Sequence, residues 1–387
     1  MATNYQMHSI VNRFDQYHHL AEKREEWSRF SDQCATASPF CHPGVWLGWL
    51  ETFREFDPVV YELRDGSELK ALLPLYRDGA TLHMAGGDHI DYQDIAAVSD
   101  AAAAALVFAV VEEAGREGST LTFGKVAEHS RLRKALEDGK LSGVASIKSR
   151  YWSLCPTSTF DLRGPGRFLE SLSSRQRKDY KSASKKISEA YPEHVIEHRF
   201  GKEIDHEYLA VAATLHQANQ YRKKGKSVFA DRDFMVFLER QASSGAPMFL
   251  SMMRDARGGP AMAFIMGYFG NDTCYYYITS YDGRIAALSP GRCLLVEVLK
   301  YCADRVEGGT LTLDLLSGED GYKSRWATSF YEVARFQVIP KRISNLPRMA
   351  AYSVVYGLKG AKNRLLKWRA GGETLGGLKH DPPALTS

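Results

Sequence analysis

Residues Cys274–Trp326 read CYYYITSYDGRIAALSPGRCLLVEVLKYCADRVEGGTLTLDLLSGEDGYKSRW. The aromatic run Tyr275-Tyr276-Tyr277-Ile278 predicts a strand, and Ser289-Pro290-Gly291-Arg292 predicts the start of a helix. Ser289 suits an N-cap and Pro290 the first helical position, where its fixed φ helps and its missing N–H costs nothing. Gly291, lacking Cβ, lets a ligand approach the backbone closely. Unpaired N–H groups and the positive end of a helix dipole there suit a phosphate. Leu295, Leu299, Cys302 and Val306 recur at three- and four-residue steps, giving the helix one apolar face. A second strand (Leu311 to Leu316) follows, then a loop carrying Tyr322, Lys323 and Trp326.

Upstream, Met248–Met253, Ala261–Phe269 and Thr273–Ser280 predict three antiparallel strands joined at Gly258-Gly259 and Gly270-Asn271-Asp272 turns. A last strand is expected near Val333–Val338. The segment RFLESLSSRQRKDYKSASKKISEA, from Arg167, predicts a helix with Leu169, Leu172, Tyr180, Ala183, Ile187 and Ala190 on one stripe. Arg175, Lys178 and Lys185 flank that stripe as candidate anion-binding cations, with Arg177 and Lys181 beside them. A second helix around Glu207–Tyr221 carries His216, whose side chain titrates in the range needed to take a proton from an amine. The Lys-rich loop after it, Arg222 to Lys226, is surface or a cover over an anionic substrate.

Earlier in the chain, His42-Pro43-Gly44 is a turn before a helix bearing Val45, Trp46, Trp49 and Phe53. Strands are expected at Val59–Leu63, Leu69–Pro74, Thr81–Met84 and Thr120–Phe123, with an alanine-rich helix at Asp100–Ala114. Asp88, His89 and Asp91 read as a hydrogen-bonded turn at a strand end rather than as metal ligands. Ala145–Pro165, running into Arg163-Gly164-Pro165-Gly166, reads as a linker. The expected divisions are an N-terminal helical segment (1–38), a first half (39–150), a second half with the donor site (160–340), and a basic C-terminal helix and tail (341–387).

The serine-proline-glycine helix start and the Gly318-x-x-x-Tyr322-Lys323-x-x-Trp326 ending together resemble the CelD/BcsL-type acyltransferases. These are a branch of the GNAT (acyl-CoA N-acyltransferase) superfamily and distant kin of the FemABX transferases. The resemblance spans roughly Pro39 to Val338. It implies an α+β fold of two GNAT-like halves in tandem, each a mixed, mostly antiparallel sheet flanked by helices, the first degenerate in its cofactor site. It implies acyl transfer, with acetyl-CoA or another acyl-CoA as co-substrate and no metal, to an amine or hydroxyl of a sugar or an envelope or exopolysaccharide precursor. By the same resemblance Ile278, Thr279 and Ser280 offer backbone to the pantetheine arm, with Ser289, Gly291 and Arg292 at the pyrophosphate. Tyr322 protonates the leaving sulfur, and Lys323 stabilises developing charge or holds an acceptor phosphate. Asp314 orients Lys323 or binds acceptor hydroxyls, while Asp91, Tyr92 and Tyr281 join Arg175 and Lys178 as acceptor contacts. The fuller Gln/Arg-x-x-Gly-x-Gly/Ala pyrophosphate signature is reduced here to the helix start. That reduction leaves a FemABX-like aminoacyl-tRNA donor, or a non-catalytic part in polysaccharide synthesis, as alternatives.

Composition narrows the field. The first 160 residues carry 16 Lys and Arg against 22 acids, and the remainder 34 against 24, so anionic ligands are expected in the second half. Six cysteines without CxxC spacing suggest neither a zinc site nor a disulfide framework. No apolar run approaches bilayer length and the start lacks a signal peptide's apolar stretch, so a cytoplasmic location is expected. Nucleic acid is an expected partner only under the tRNA alternative. The helix expected at Met349–Trp368 is amphipathic enough to pack on the body or touch an anionic surface.

Overall fold

A computed structural model describes residues 9–34, 38–163, 167–223, 227–318, 321 and 323–342. The basic C-terminal helix, the loop residues 224–226 and Tyr322 lie outside the described residues. In chain order the elements are β1 (Ser9–Phe14), α1 (Tyr17–Gln33), α2 (Pro43–Thr52), β2 (Asp57–Asp65), β3 (Glu68–Asp78), β4 (Thr81–Met84), β5 (Ala96–Ala97), α3 (Asp100–Arg116), β6 (Thr120–Ala127), α4 (Arg131–Leu136), α5 (Gly139–Val144) and β7 (Ala145–Asp161). Then follow α6 (Arg167–Ser171), α7 (Ser174–Ala190), β8 (Val195–Phe200), α8 (His206–Lys223), α9 (Arg232–Ser244), β9 (Met248–Arg254), β10 (Ala261–Gly270), β11 (Thr273–Tyr281), α10 (Pro290–Ala303), β12 (Thr310–Asp314) and β13 (Ser329–Pro340).

One mixed sheet runs β1-β2-β3-β4-β6-β13-β7-β12-β11-β10-β9-β8, with helices on both faces, and the fold is α+β. The same plan occurs twice. In each half an antiparallel run (β2-β3-β4, then β9-β10-β11) is followed by a helix (α3, then α10). That helix carries the chain to a parallel partner of the run's last strand. β4 pairs with β6 only over Thr81–His83, and β11 with β12 only over Thr273–Tyr275. Beyond those short contacts the two parallel strands of each half diverge.

Most of the segment read as a linker, Ala145–Pro165, is instead a 17-residue strand, Ala145–Asp161, at the centre of the sheet. Residues 145–157 pair with β13, and 157–161 pair with β12. β13 in turn pairs with β6, so the last strand of the second half lies inside the first. Buried Cys155 to Ser158 mark the crossing, followed by exposed Thr159 and buried Phe160. The helix expected from Arg167 is broken at Ser173. Its hydroxyl accepts from the Gln176 N–H (3.2 Å) while Gln176 Oε1 accepts from the Ser173 N–H (2.9 Å), a capping box that begins α7 afresh. Because of that break Phe168, not Leu169, is buried.

Apolar side chains collect in three clusters. One lies under α1, α2, α8 and α9 (Trp27, Trp46, Phe237, Phe264). Another lies under α3 (Leu106, Val110, Phe123, Phe336), and the third under α7 and α10 (Ile187, Leu294, Leu299, Leu313). The first takes side chains from both halves, and the body ending at Pro340 is one compact unit. Among the described residues no helix is long and apolar enough to cross a membrane.

Candidate active site

The divergence of β11 from β12 makes the site. One edge of β11 is paired with β10 (Ile278 to Met266, Ser280 to Phe264), and a register shift between Met266 and Gly267 leaves Tyr277 as the extra residue of a β-bulge. The other edge leaves β12 after Tyr275. A cavity of about 890 Å³ opens there, lined by Tyr276–Tyr281, the start of α10, one face of α8, and the first-half residues Asp88, His89 and Asp91.

One end of this cavity is cationic. Gly291 opens onto free space: a Cβ built there would meet only Tyr281, at 3.7 Å. Its N–H has no partner among the described residues. Ser289 stands at the N-cap position but does not cap, contrary to the sequence reading. It adopts φ 56°, ψ 50°, and its hydroxyl accepts no helix N–H. This left-handed conformation costs a non-glycine residue about 1 kcal/mol. It turns the chain sharply from the Gly283–Leu288 helical turn into α10, while the Ser289 carbonyl accepts from the Arg292 and Cys293 N–H groups. Arg292 and Arg325 bring two guanidinium groups to the lining. Arg292 also pairs with Asp179 at 3.3 Å, so the helix expected to bring cations meets this turn through an acid. Arg175 and Lys178 are exposed on α7 and are not among the lining residues.

The opposite end is acidic and aromatic. Lys125 Nζ donates to the carbonyls of Asp88 (3.1 Å) and Ile90 (3.0 Å) and sits 3.5 Å from the Asp91 carboxylate, holding this loop against β6. Burial pushes the Asp91 carboxyl up, with Lys125 and then Lys323 opposing the shift. The Tyr277 hydroxyl donates to the His89 carbonyl (2.7 Å), tying the bulge to the first-half loop. The His89 ring stacks on Phe53 (4.8 Å between centroids) and on Phe234 (5.9 Å), and accepts at Nδ1 from the Trp49 indole N–H (3.0 Å). His216 lies on α8 with Nδ1 2.8 Å from the Ser227 hydroxyl, and burial lowers its pKa. Asn219 donates to the Ser280 hydroxyl (3.1 Å), and Asp231 caps α9 through the Asp233 and Phe234 N–H groups.

Of the residues singled out from the sequence, Asp91, His216, Ile278, Thr279, Ser280, Tyr281, Ser289, Gly291 and Arg292 therefore share one cavity. Tyr92, Asp314 and Lys323 do not line it. Tyr92 and Asp314 are buried at the junction of the halves, where the Tyr92 hydroxyl (2.8 Å), the Tyr331 hydroxyl (2.5 Å) and the Leu316 N–H (2.8 Å) all donate to Asp314. Burial lifts the Asp314 pKa to about 6 against these donors. Lys323 is buried too and donates to the Ser317 carbonyl at 2.7 Å. Sequence reasoning passed over Arg325, Asn219 and Asp231 as site residues. Arg325 occupies an unassigned position of the Tyr-Lys-x-x-Trp segment, and its charge was the available signal.

Residues 174–324 match the family model described as an acetyltransferase (GNAT) domain. Three solved structures share the fold of most of the chain. FemX aligns at TM-score 0.59 and 12% identity, over 84% of this chain and 96% of that one. The C-terminal domain of a provisionally named lysylphosphatidylglycerol synthetase from Agrobacterium fabrum aligns at 0.55 and 12%, over 87% and 97%. A conserved protein of unknown function from Bacteroides thetaiotaomicron aligns at 0.52 and 13%, over 86% and 100%. At these identities the likeness is one of fold. No curated protein matches the chain.

Proposed function

We propose that the chain is an acyl-CoA-dependent acyltransferase of the CelD/BcsL type, moving an acyl group to an amine of a sugar or an envelope or exopolysaccharide precursor. The observation that carries this reading is the divergence of β11 from β12 directly before an uncapped helix N-terminus, within one cavity. In this reading the donor's pyrophosphate meets the Gly291 N–H and the Arg292 guanidinium, and its pantetheine arm adds to the free edge of β11 along Ile278–Ser280 as an extra strand would. Attack by a neutral amine on the thioester carbonyl forms the new C–N bond, and the C–S bond breaks as the thiolate departs. Asp88 and Asp91 favour a cationic acceptor at the other end of the cavity. His216, kept neutral by burial, takes the amine's proton. Tyr322 remains the proposed proton donor to sulfur.

Titration calorimetry with acetyl-CoA, free CoA and a longer acyl-CoA tests the donor. Micromolar binding that Gly291→Val weakens supports the proposal, because the added side chain enters open cavity rather than packed protein. Absence of binding by all three sinks it. The likeness to a domain named for lysylphosphatidylglycerol synthesis favours an aminoacyl donor as the second reading, tested by binding of charged tRNA at low and high salt.

A further inference from the structure

Among the described residues two histidines line the cavity, and their ring nitrogens are constrained differently. His216 Nδ1 faces the Ser227 hydroxyl, which can donate or accept, so either tautomer is satisfied. His89 Nδ1 faces the Trp49 indole nitrogen at 3.0 Å, and an indole N–H can only donate. Nδ1 of His89 therefore carries no proton, and the neutral ring must carry its proton on Nε2. Protonating Nδ1 would set N–H against N–H inside an aromatic wall formed by Trp49, Phe53, Phe234 and Phe237. Nε2 has no hydrogen-bond partner among the described residues, and the ring lines the cavity.

We propose that Trp49 locks His89 as the neutral Nε2–H tautomer, so that His89 serves the cavity as a fixed hydrogen-bond donor to a carbonyl or hydroxyl oxygen of the ligand, and not as a base. A neutral N–H favours an oxygen acceptor over an ammonium, which leaves a cationic group to Asp88 and Asp91. The charged groups acting on His89 are Asp231 at the start of α9, Asp88 on its own loop and Lys125 on β6. The two carboxylates favour the imidazolium and Lys125 opposes it. Burial outweighs them in holding the ring neutral. The role in ligand binding rests on the acyl-transfer reading, whereas the tautomer does not.

The test is a pH titration of the unliganded full chain by nitrogen-15 NMR, with the His89 signals assigned by their loss in His89→Gln. Expected is an unprotonated Nδ1 and a protonated Nε2 at neutral pH, with the ring taking up a second proton only below the ordinary histidine range. The Nε2 proton should exchange rapidly with water, because the cavity is open. Trp49→Phe keeps an aromatic ring and removes the donor, so His89 should then show mixed tautomers and begin to titrate. A wild-type His89 that titrates near 6.5, carries its proton on Nδ1, or protects its Nε2 proton from water overturns the proposal. Failure of acetyl-CoA to bind would remove the acyl-transfer reading and leave the tautomer result standing.

Discussion

The two halves contain the same parting of parallel strands and treat it in opposite ways. In the first half, the edge of β6 beyond its contact with β4 is filled by the chain itself. Gln93 donates its N–H to the Lys125 carbonyl (2.8 Å), its side chain accepts from the Gly124 N–H, and Lys125 pins the preceding loop. The crossover helix of this half, α3, is also closed: the Ser99 hydroxyl accepts from the Ala102 N–H (3.1 Å), and Asp100 places a negative charge in the first turn. In the second half, β11 keeps a free edge, Ser289 leaves α10 uncapped, and no acid stands in its first turn. A plugged parting gives a wall, and an open one gives a site. The loop pinned by Lys125 in the first half carries Asp88, His89 and Asp91 into the lining of the second half's cavity, so one half supplies a wall of the other's cavity.

Lys125→Met should break this contrast most severely. It strips two carbonyls of their donor and leaves the half-buried Asp91 without its ion pair, costing about 3 kcal/mol in urea denaturation. Limited proteolysis should then nick the chain between Gly86 and Tyr92.

Asp314→Asn comes next, at about 2 kcal/mol, since an amide oxygen cannot satisfy two tyrosine hydroxyls and a backbone N–H together. Its pH dependence has a definite sign. A carboxyl whose pKa rises on folding from 3.8 to about 6 stabilises the protein fully below pH ~4, and loses that contribution as pH rises through 6. The gap between wild type and Asp314→Asn should therefore be larger at pH 5 than at pH 7.

Gly291→Val should weaken acetyl-CoA binding about tenfold or more, or about 1.4 kcal/mol, with an unchanged melting temperature. The smallest effects sharpen the comparison best. Ser99→Ala should cost about 1 kcal/mol of stability through loss of its cap, whereas Ser289→Ala should cost close to nothing. Equal costs would remove the distinction between a closed and an open helix start.

Much of this was legible in the sequence, because β9 to β13 and α10 advertise themselves by apolar and aromatic runs, by glycine turns and by the Pro290 helix start. The same local signals misled elsewhere. Ala145–Pro165 reads as a linker because the part that forms β7 shows no alternation of buried and exposed residues over most of its length, and its Ser, Thr and Pro content is that of a loop. Ser289 has an N-cap's chemistry but an αL backbone, which the preceding helical turn imposes. Asp314 looks like a site acid, yet its donors Tyr92 and Tyr331 arrive from a loop 222 positions earlier and from β13. Such partners follow from topology, which no window of sequence contains. Asp91 and His216 were legible as polar groups near a strand end and on a helix. Both were read as residues of one acceptor site, and both line the cavity.

The placement of β13 has a consequence for how the protein is made. The first half cannot complete its sheet from its own residues, since the strand between β6 and β7 is the last one of the body to leave the ribosome. During synthesis β6 and β7 wait with unpaired edges, and the contacts that finally close the sheet are among the most distant in sequence, a pattern that slows folding and invites aggregation. A fragment ending before Ser329 should therefore be insoluble throughout, the first half included, and early folding should depend on chaperones that shield strand edges until translation reaches Pro340.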